Sequence, residues 1–110
     1  MIGVDIVLIS RFQESYLDIA SRFLSDSERE EMKSYEACRQ VTYVASRFAG
    51  KEAYIKASSS KKAKLSDIEI LNSIDGKPHL YYKKKECGEI SLSHDEYCVA
   101  FVLLNKKEDN

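Results

Sequence analysis

The chain is expected to fold as a single α+β domain, with helices packed on a mainly antiparallel sheet. Three features of its 110 residues lead there. An apolar, β-branched run opens the chain, a long segment of helical period fills the middle, and a two-residue period with turn signals follows.

Taken in order, residues 2–9 are apolar on both faces and read as a buried strand. Phe23-Leu24-Ser25-Asp26-Ser27-Glu28 marks a helix start, where Ser25 with Glu28, or Ser27 with Glu30, can form a capping box. A charged helix then runs to about Glu36. A second helix is expected over roughly 39–58, with Val41, Val44, Ala45, Phe48, Ala49 and Ile55 on one side. Ser58-Ser59-Ser60-Lys61-Lys62 ends it in a polar loop. Asp67-Ile68-Glu69-Ile70-Leu71 alternates as a strand, and Asp75-Gly76 supplies a tight turn. Pro78-His79-Leu80-Tyr81-Tyr82 returns, with the only proline at its first position, where a missing N–H is tolerated. Lys83-Lys84-Lys85 reads as a connector, within a compact stretch from Lys83 to Gly88. Ile90-Ser91-Leu92-Ser93 and Tyr97 to Leu104 form a last hairpin around His94-Asp95-Glu96, and the charged tail from Lys106 to Asn110 is expected to fray. No repeat or internal linker interrupts residues 1–110, which read as one domain.

A hydrophobic content of 44% and a charged content of 32% are ordinary for a soluble globular protein. A net charge of −1 argues against a nucleic-acid surface spread over the whole molecule. Cys38, Cys87 and Cys98 are odd in number and widely spaced, and so read as free thiols of a reducing compartment. The opening apolar run is too short to span a bilayer and lacks the basic leader of a signal peptide. A cytoplasmic location is expected.

Two carboxylates sit in unfavourable places. Asp5 interrupts the apolar opening run, and Glu52 falls on the apolar stripe of the long helix. With Phe48 at zero and about 100° per residue, Glu52 lands near 40° and Lys56 near 80°, inside the stripe. Arg47 and Lys51 fall on its flank, at roughly −100° and −60°. An ionised carboxylate is costly to bury without a compensating cation. An i,i+4 pair between Glu52 and Lys56 is one explanation. Two misplaced carboxylates on separate elements, with cations clustered nearby, favour a shared hard divalent cation. Mg²⁺ suits them, its shell completed by substrate phosphate.

Two segments, Ile2-Gly3-Val4-Asp5-Ile6-Val7 and Arg47-Phe48-Ala49-Gly50-Lys51-Glu52-Ala53-Tyr54-Ile55-Lys56-Ala57, resemble the holo-acyl-carrier-protein synthases, the small 4′-phosphopantetheinyl transferase family. Leu65-Ser66-Asp67-Ile68-Glu69-Ile70, Asp75-Gly76-Lys77-Pro78-His79-Leu80 and Ile90-Ser91-Leu92-Ser93-His94-Asp95 extend the likeness, in the family's order, over nearly the whole chain. The resemblance implies the 4′-phosphopantetheinyl transferase fold. It also implies transfer of the phosphopantetheine arm of coenzyme A to a serine of apo acyl carrier protein, releasing adenosine 3′,5′-bisphosphate, in fatty acid biosynthesis. Homotrimers with active sites at subunit boundaries are implied as well.

Under the same resemblance Asp5 and Glu52 hold Mg²⁺, and Lys56 stabilises or protonates the leaving phosphate. The acceptor serine's proton goes to a water at the metal or to a carboxylate. Ser93 and His94 match the family's serine-histidine motif, so His94 is expected at the nucleotide end of coenzyme A. Arg47 is expected near phosphate or as a solvated flank cation. Arg11 matches an arginine that meets the acidic carrier protein, where a cation would steer docking. Its neighbour Phe12 reads as core. The family often continues its helix with a leucine and a glycine-threonine-glycine turn, whereas Ser58-Ser59-Ser60 stands here and lacks glycine's freedom at positive φ. A non-catalytic module binding coenzyme A or a carrier protein is the alternative.

Overall fold

The computed structural model describes residues 1–59 and 62–105, which build one antiparallel sheet with the long helix laid across one face. The elements are β1 (Ile2–Leu8), a 3₁₀ turn (Ile9–Phe12), α1 (Tyr16–Phe23), α2 (Asp26–Lys33), α3 (Ala37–Ser58), a second 3₁₀ turn (Leu65–Asp67), β2 (Ile68–Asn72), β3 (Pro78–Tyr82), β4 (Lys85–His94) and β5 (Tyr97–Leu104). The strands lie in the order β1-β5-β4-β3-β2, every pair antiparallel. The expected α+β class is therefore the observed one. Ser60, Lys61 and the tail from Lys106 to Asn110, which the sequence expects to fray, lie outside the described residues.

The core forms where α3 meets the sheet. Val44, Ala45, Ala49 and Ala53 of the helix are fully buried, as are Ile68, Ile70, Leu80, Ala100 and Val102 of the strands. Small residues set the closeness of this contact. A Cβ added at Gly3 would lie 2.1 Å from the Ala53 carbonyl oxygen, so β1 and α3 touch backbone to backbone.

β1 corrects one expectation. It is an edge strand, buried on one face only: Gly3 and Val7 face α3, while Ile2, Val4 and Ile6 are exposed by 63%, 53% and 59%. Apolar residues on both faces suggested burial on both, but here the second face is open. Val4 pairs with Phe101 and Ile2 with Leu103, so exposed apolar side chains of β1 and β5 form one stripe.

The opposite edge, β2, is sealed by side chains. Glu28 Oε2 accepts from the Ile70 N–H (2.8 Å), and Glu31 Oε2 accepts from the Asn72 N–H (3.0 Å). Arg47 Nε donates to the Ile70 carbonyl (3.0 Å). These bonds satisfy edge groups that would otherwise offer a template for another strand.

α2 begins at the expected capping box of Ser25 and Glu28, but ends at Lys33 rather than Glu36. α3 starts at Ala37 and ends at Ser58, with Ser59 in the left-handed region (φ 59°) as its cap. α1 has no counterpart among the expected elements. It has eight residues and no side-chain cap, and it is held by burying Ala20 and Phe23. The stretch read as a connector is a two-residue hairpin turn at Lys83 and Lys84, both at positive φ, so β4 begins at Lys85. Lysine rarely fills such a turn, which is why its signal was absent. The cysteines are free, as expected: Cys38 exposed, Cys87 half-buried and Cys98 buried. Among the described residues no helix is long and apolar enough to cross a membrane.

Candidate functional site

Two half-sites lie along α3. The first is at the β1 seam. Strand alternation turns Asp5 to the same face as Gly3 and Val7, toward α3, leaving its side chain only 16% exposed. Lys56 Nζ donates to Asp5 Oδ1 (2.9 Å) and to the Val4 carbonyl (3.1 Å). Lys56 is therefore not inside the apolar stripe, as its wheel angle suggested: its side chain is 56% exposed and reaches back over the strand edge. Its carboxylate partner is Asp5, and the i,i+4 pair with Glu52 does not form.

Glu52, one turn earlier, is half-buried, and no hydrogen bond or ion pair among the described residues holds its carboxylate. A half-buried carboxylate without a partner, on the helix that meets the Asp5 strand, is a donor set of hard oxygens only. That chemistry fits a hard divalent cation completed by further oxygen ligands. Among the described residues no group of three or more His, Cys, Asp or Glu gathers, so any such site needs oxygens from elsewhere.

The second half-site is a cleft of roughly 300 Å³ between the first half of α3, the β2–β3 turn and the end of β4. Arg39, Thr42, Ser46 and Arg47 come from the helix, Gly76 and Pro78 from the turn, and Leu92 and His94 from β4. Arg39 lies over the Tyr35 ring, 4.4 Å from its centroid, with its guanidinium otherwise exposed. His94 is exposed at the mouth. Cations, hydroxyls and an apolar wall suit a phosphate-bearing heterocycle.

Arg47 is not the solvated flank cation that its wheel angle allowed. It is 3% exposed, with its guanidinium 3.9 Å from the Tyr43 ring centroid. It donates to Ser46 Oγ, to Glu31 Oε1 (3.2 Å), to Asn72 Oδ1 (2.9 Å) and to the Ile70 carbonyl. Burial raises the Tyr43 phenol above its ordinary range, against the pull of Arg47. This network anchors Arg47 in the floor of the cleft, with its charge partly met by Glu31.

Lys51 likewise leaves the flank for the core. It is fully buried and donates to Glu28 Oε1 (2.6 Å), the Phe23 carbonyl (2.8 Å) and the Leu65 carbonyl (2.9 Å). Burial lowers its pKa, and Glu28 opposes that shift.

The structure thus brings Asp5 to Lys56, and Arg47 to His94, but it does not bring the two groups into one cavity. Ser93 joins neither. It lies between the cleft residues Leu92 and His94, so its side chain is on the open face of the sheet. Arg11 is exposed in the first 3₁₀ turn, at the rim of an apolar hollow lined by Val7, Phe12, Ile19 and Phe48. Phe12 is core, as expected, with its ring 5.6 Å from that of Phe48. Sequence reasoning missed Arg39. Its signal was present: Arg39, Tyr43 and Arg47 recur every fourth residue and so share a side of α3.

A family model described as the 4′-phosphopantetheinyl transferase superfamily matches residues 1–102. The chain is similar to a holo-[acyl-carrier-protein] synthase of Ehrlichia ruminantium, 36% identical over 96% of each chain. It is also similar to one of Bacillus cytotoxicus, 37% identical over 94% of this chain and 92% of the relative. Among solved structures, a Bacillus anthracis holo-(acyl-carrier-protein) synthase in complex with CoA (3′,5′-ADP) superposes with a TM-score of 0.84. It is 36% identical and covers 94% of this chain and 93% of that one. A Helicobacter pylori holo-[acyl-carrier-protein] synthase in complex with coenzyme A gives 0.79 at 30% identity, covering 96% of this chain and all of that one.

Proposed function

This chain belongs to the 4′-phosphopantetheinyl transferase superfamily, and from that premise we propose that it moves the 4′-phosphopantetheine group of coenzyme A to a serine of an apo acyl carrier protein. The carrier's serine gives its hydroxyl proton to a nearby carboxylate or water as its oxygen forms a bond to the phosphorus next to pantetheine. The bond from that phosphorus to the bridging oxygen breaks, and adenosine 3′,5′-bisphosphate leaves. The observation that carries this reading is the pair of half-sites: hard carboxylates with an exposed ammonium at one end of α3, and a cationic cleft at the other.

Asp5 and Glu52 are the residues that would hold Mg²⁺, which when bound screens the diphosphate charge and activates the phosphorus under attack. Lys56 is exposed, and among the described residues its ammonium bonds Asp5 and the Val4 carbonyl, which places it to meet the departing phosphate beside Asp5. Arg39 and His94 present cationic and hydrogen-bonding groups to the nucleotide end, while buried Arg47 fixes the cleft floor beneath them. Ser93, on the other face, reaches coenzyme A only across a subunit boundary. Arg11, with the exposed Leu17 on α1, offers a cation beside apolar surface to an acidic carrier protein.

The active unit is a homotrimer. Two observations support this: the half-sites do not meet within one chain, and the β1–β5 stripe of Ile2, Val4, Ile6, Tyr97, Phe101 and Leu103 is exposed and apolar. Free cysteines support a cytoplasmic, reducing location.

A second reading draws on the Asp5–Lys56 ion pair, in which both carboxylates are merely structural. The test is incubation of the protein with Mg²⁺, coenzyme A and apo carrier protein, followed by mass spectrometry. The carrier should gain a phosphopantetheine arm, chelator should stop the gain, and Glu52→Gln should reduce it at least a hundredfold with the fold intact. A carrier of unchanged mass would leave a non-catalytic binding module. Full activity in Glu52→Gln, or an Asp5→Asn variant that loses stability but keeps metal-dependent coenzyme binding, would favour the structural reading.

A further inference from the structure

The β2–β3 turn is built around a side-chain relay that lies outside the cleft. Ser73 is its hub. Its N–H donates to the Lys77 carbonyl (2.9 Å), its carbonyl accepts from the Gly76 N–H (2.8 Å), and its hydroxyl bonds the Asp75 carboxylate. Asp75 Oδ1 also accepts from the Lys77 N–H (3.1 Å), and these two bonds, the hydroxyl first, hold the exposed Asp75 carboxyl below its usual pKa. Gly76 sits at φ +87°, so the turn is closed tightly around a residue that only glycine fills without strain.

His79 clamps this hub to the sheet. Its Nε2 lies 3.2 Å from Ser73 Oγ, and its Nδ1 lies 3.3 Å from Glu86 Oε2 on β4. The Ser73 proton is directed at Asp75, so the hydroxyl oxygen can accept an N–H from Nε2 while the Glu86 carboxylate accepts one from Nδ1, and both bonds are made together only by the imidazolium form of the ring. The turn after β2 is thus tied at one point to two strands: Ser73 of the turn meets His79 of β3, which meets Glu86 of β4. The Ser-His-Glu order looks like a nucleophile relay. However, the Ser73 hydroxyl is already committed to Asp75 and the group lines none of the hollows described above. Its use lies in what the turn carries. Gly76 and Pro78 form one wall of the cationic cleft, and His79 follows Pro78 directly, on the opposite face of the sheet.

We propose that His79 is a positioning residue for the nucleotide end of coenzyme A, acting through Ser73 and Glu86 to hold the Gly76–Pro78 wall against the Arg39 and His94 side of the cleft. The inference rests on the transferase reading and adds a residue to it. A wall held open or loose weakens ground-state binding of the nucleotide, while the phosphorus under attack, at the other half-site, is unaffected.

The experiment measures KM for coenzyme A, kcat, and the Kd of adenosine 3′,5′-bisphosphate by titration calorimetry, in wild type, His79→Phe, His79→Gln and Glu86→Gln. His79→Phe should raise KM and the nucleotide Kd about three- to tenfold, the loss of one or two hydrogen bonds, with kcat within twofold. His79→Gln, which keeps a donor, should recover part of the loss, and Glu86→Gln should fall between wild type and His79→Phe. Wild type that binds the nucleotide, with His79→Phe matching its Kd and KM, overturns this proposal alone. A His79→Phe defect in kcat with KM unchanged also overturns it. Wild type that fails to bind the nucleotide overturns the transferase reading together with it.

Discussion

Lys51 uses every proton of its ammonium group inside the core, on Glu28 and two backbone carbonyls, and so joins α1, α2 and the segment before β2 to the middle of α3. The pair is a buried ion pair whose removal on one side leaves a charge uncompensated. Lys51→Met is expected to lower unfolding stability by about 3–5 kcal/mol in urea titrations at neutral pH; a loss below about 1 kcal/mol would mean that the pair holds little. Buried Cys98 gives a pH signature. Burial, opposed by Arg47 and reinforced by Asp5, pushes its thiol from 9.0 up to about 11. The native chain then keeps a proton that the unfolded chain releases, so stability is fully present below pH 9 and falls as pH rises through about 11. Wild type should lose about 2–3 kcal/mol more than Cys98→Ala across that window, in denaturation curves taken at each pH. Neither burial was legible from the helical wheel. Periodicity puts Lys51 and Arg47 on a flank, and only the acidic edge of α2, folded against that flank, turns it into core.

α3 is the element on which both half-sites depend, and its small residues decide how closely the strand carrying Asp5 approaches. Gly3→Ala would drive a methyl group into the Ala53 carbonyl. It is expected to cost about 2–3 kcal/mol and to reduce transfer along with stability, because β1 must move away from Glu52 as it relaxes. An unchanged melting curve would show that the backbone contact is looser than the geometry implies. Long elements with strong period were readable from sequence: α3 starts two residues before its expected position, and β2, β3 and β5 fall within a residue of theirs. The capping box of α2 also followed from Ser25 and Glu28 alone. What was not readable depended on packing or on unusual turn residues. α1 is short and uncapped, the Lys83-Lys84 turn lacks glycine and asparagine, and β1 is apolar on a face that one chain leaves open. At the site, Asp5 and Glu52 stood out because carboxylates interrupt apolar patterns, whereas Arg39 did not, since an exposed arginine on a helix is ordinary.

At the scale of the whole molecule, the same open face that misled the reading of β1 is where the proposed assembly would bring the two half-sites together. One chain holds the acidic half-site near the second half of α3 and the cationic cleft near its first half, roughly 13 Å apart along the axis from Arg47 to Lys56 at about 1.5 Å per residue. Assembly through the β1–β5 stripe would set the acidic half of one subunit against the cleft of the next. Subunit mixing tests this directly. Glu52→Gln and the double variant Arg39→Ala/His94→Ala should each be nearly inactive as pure proteins. Unfolded together and refolded at a one-to-one ratio, they leave about one boundary in four with both halves intact, by random association. Transfer of phosphopantetheine by the mixture should therefore recover to about a quarter of the wild-type rate. A mixture no more active than the average of its two parents would contradict a site shared between chains.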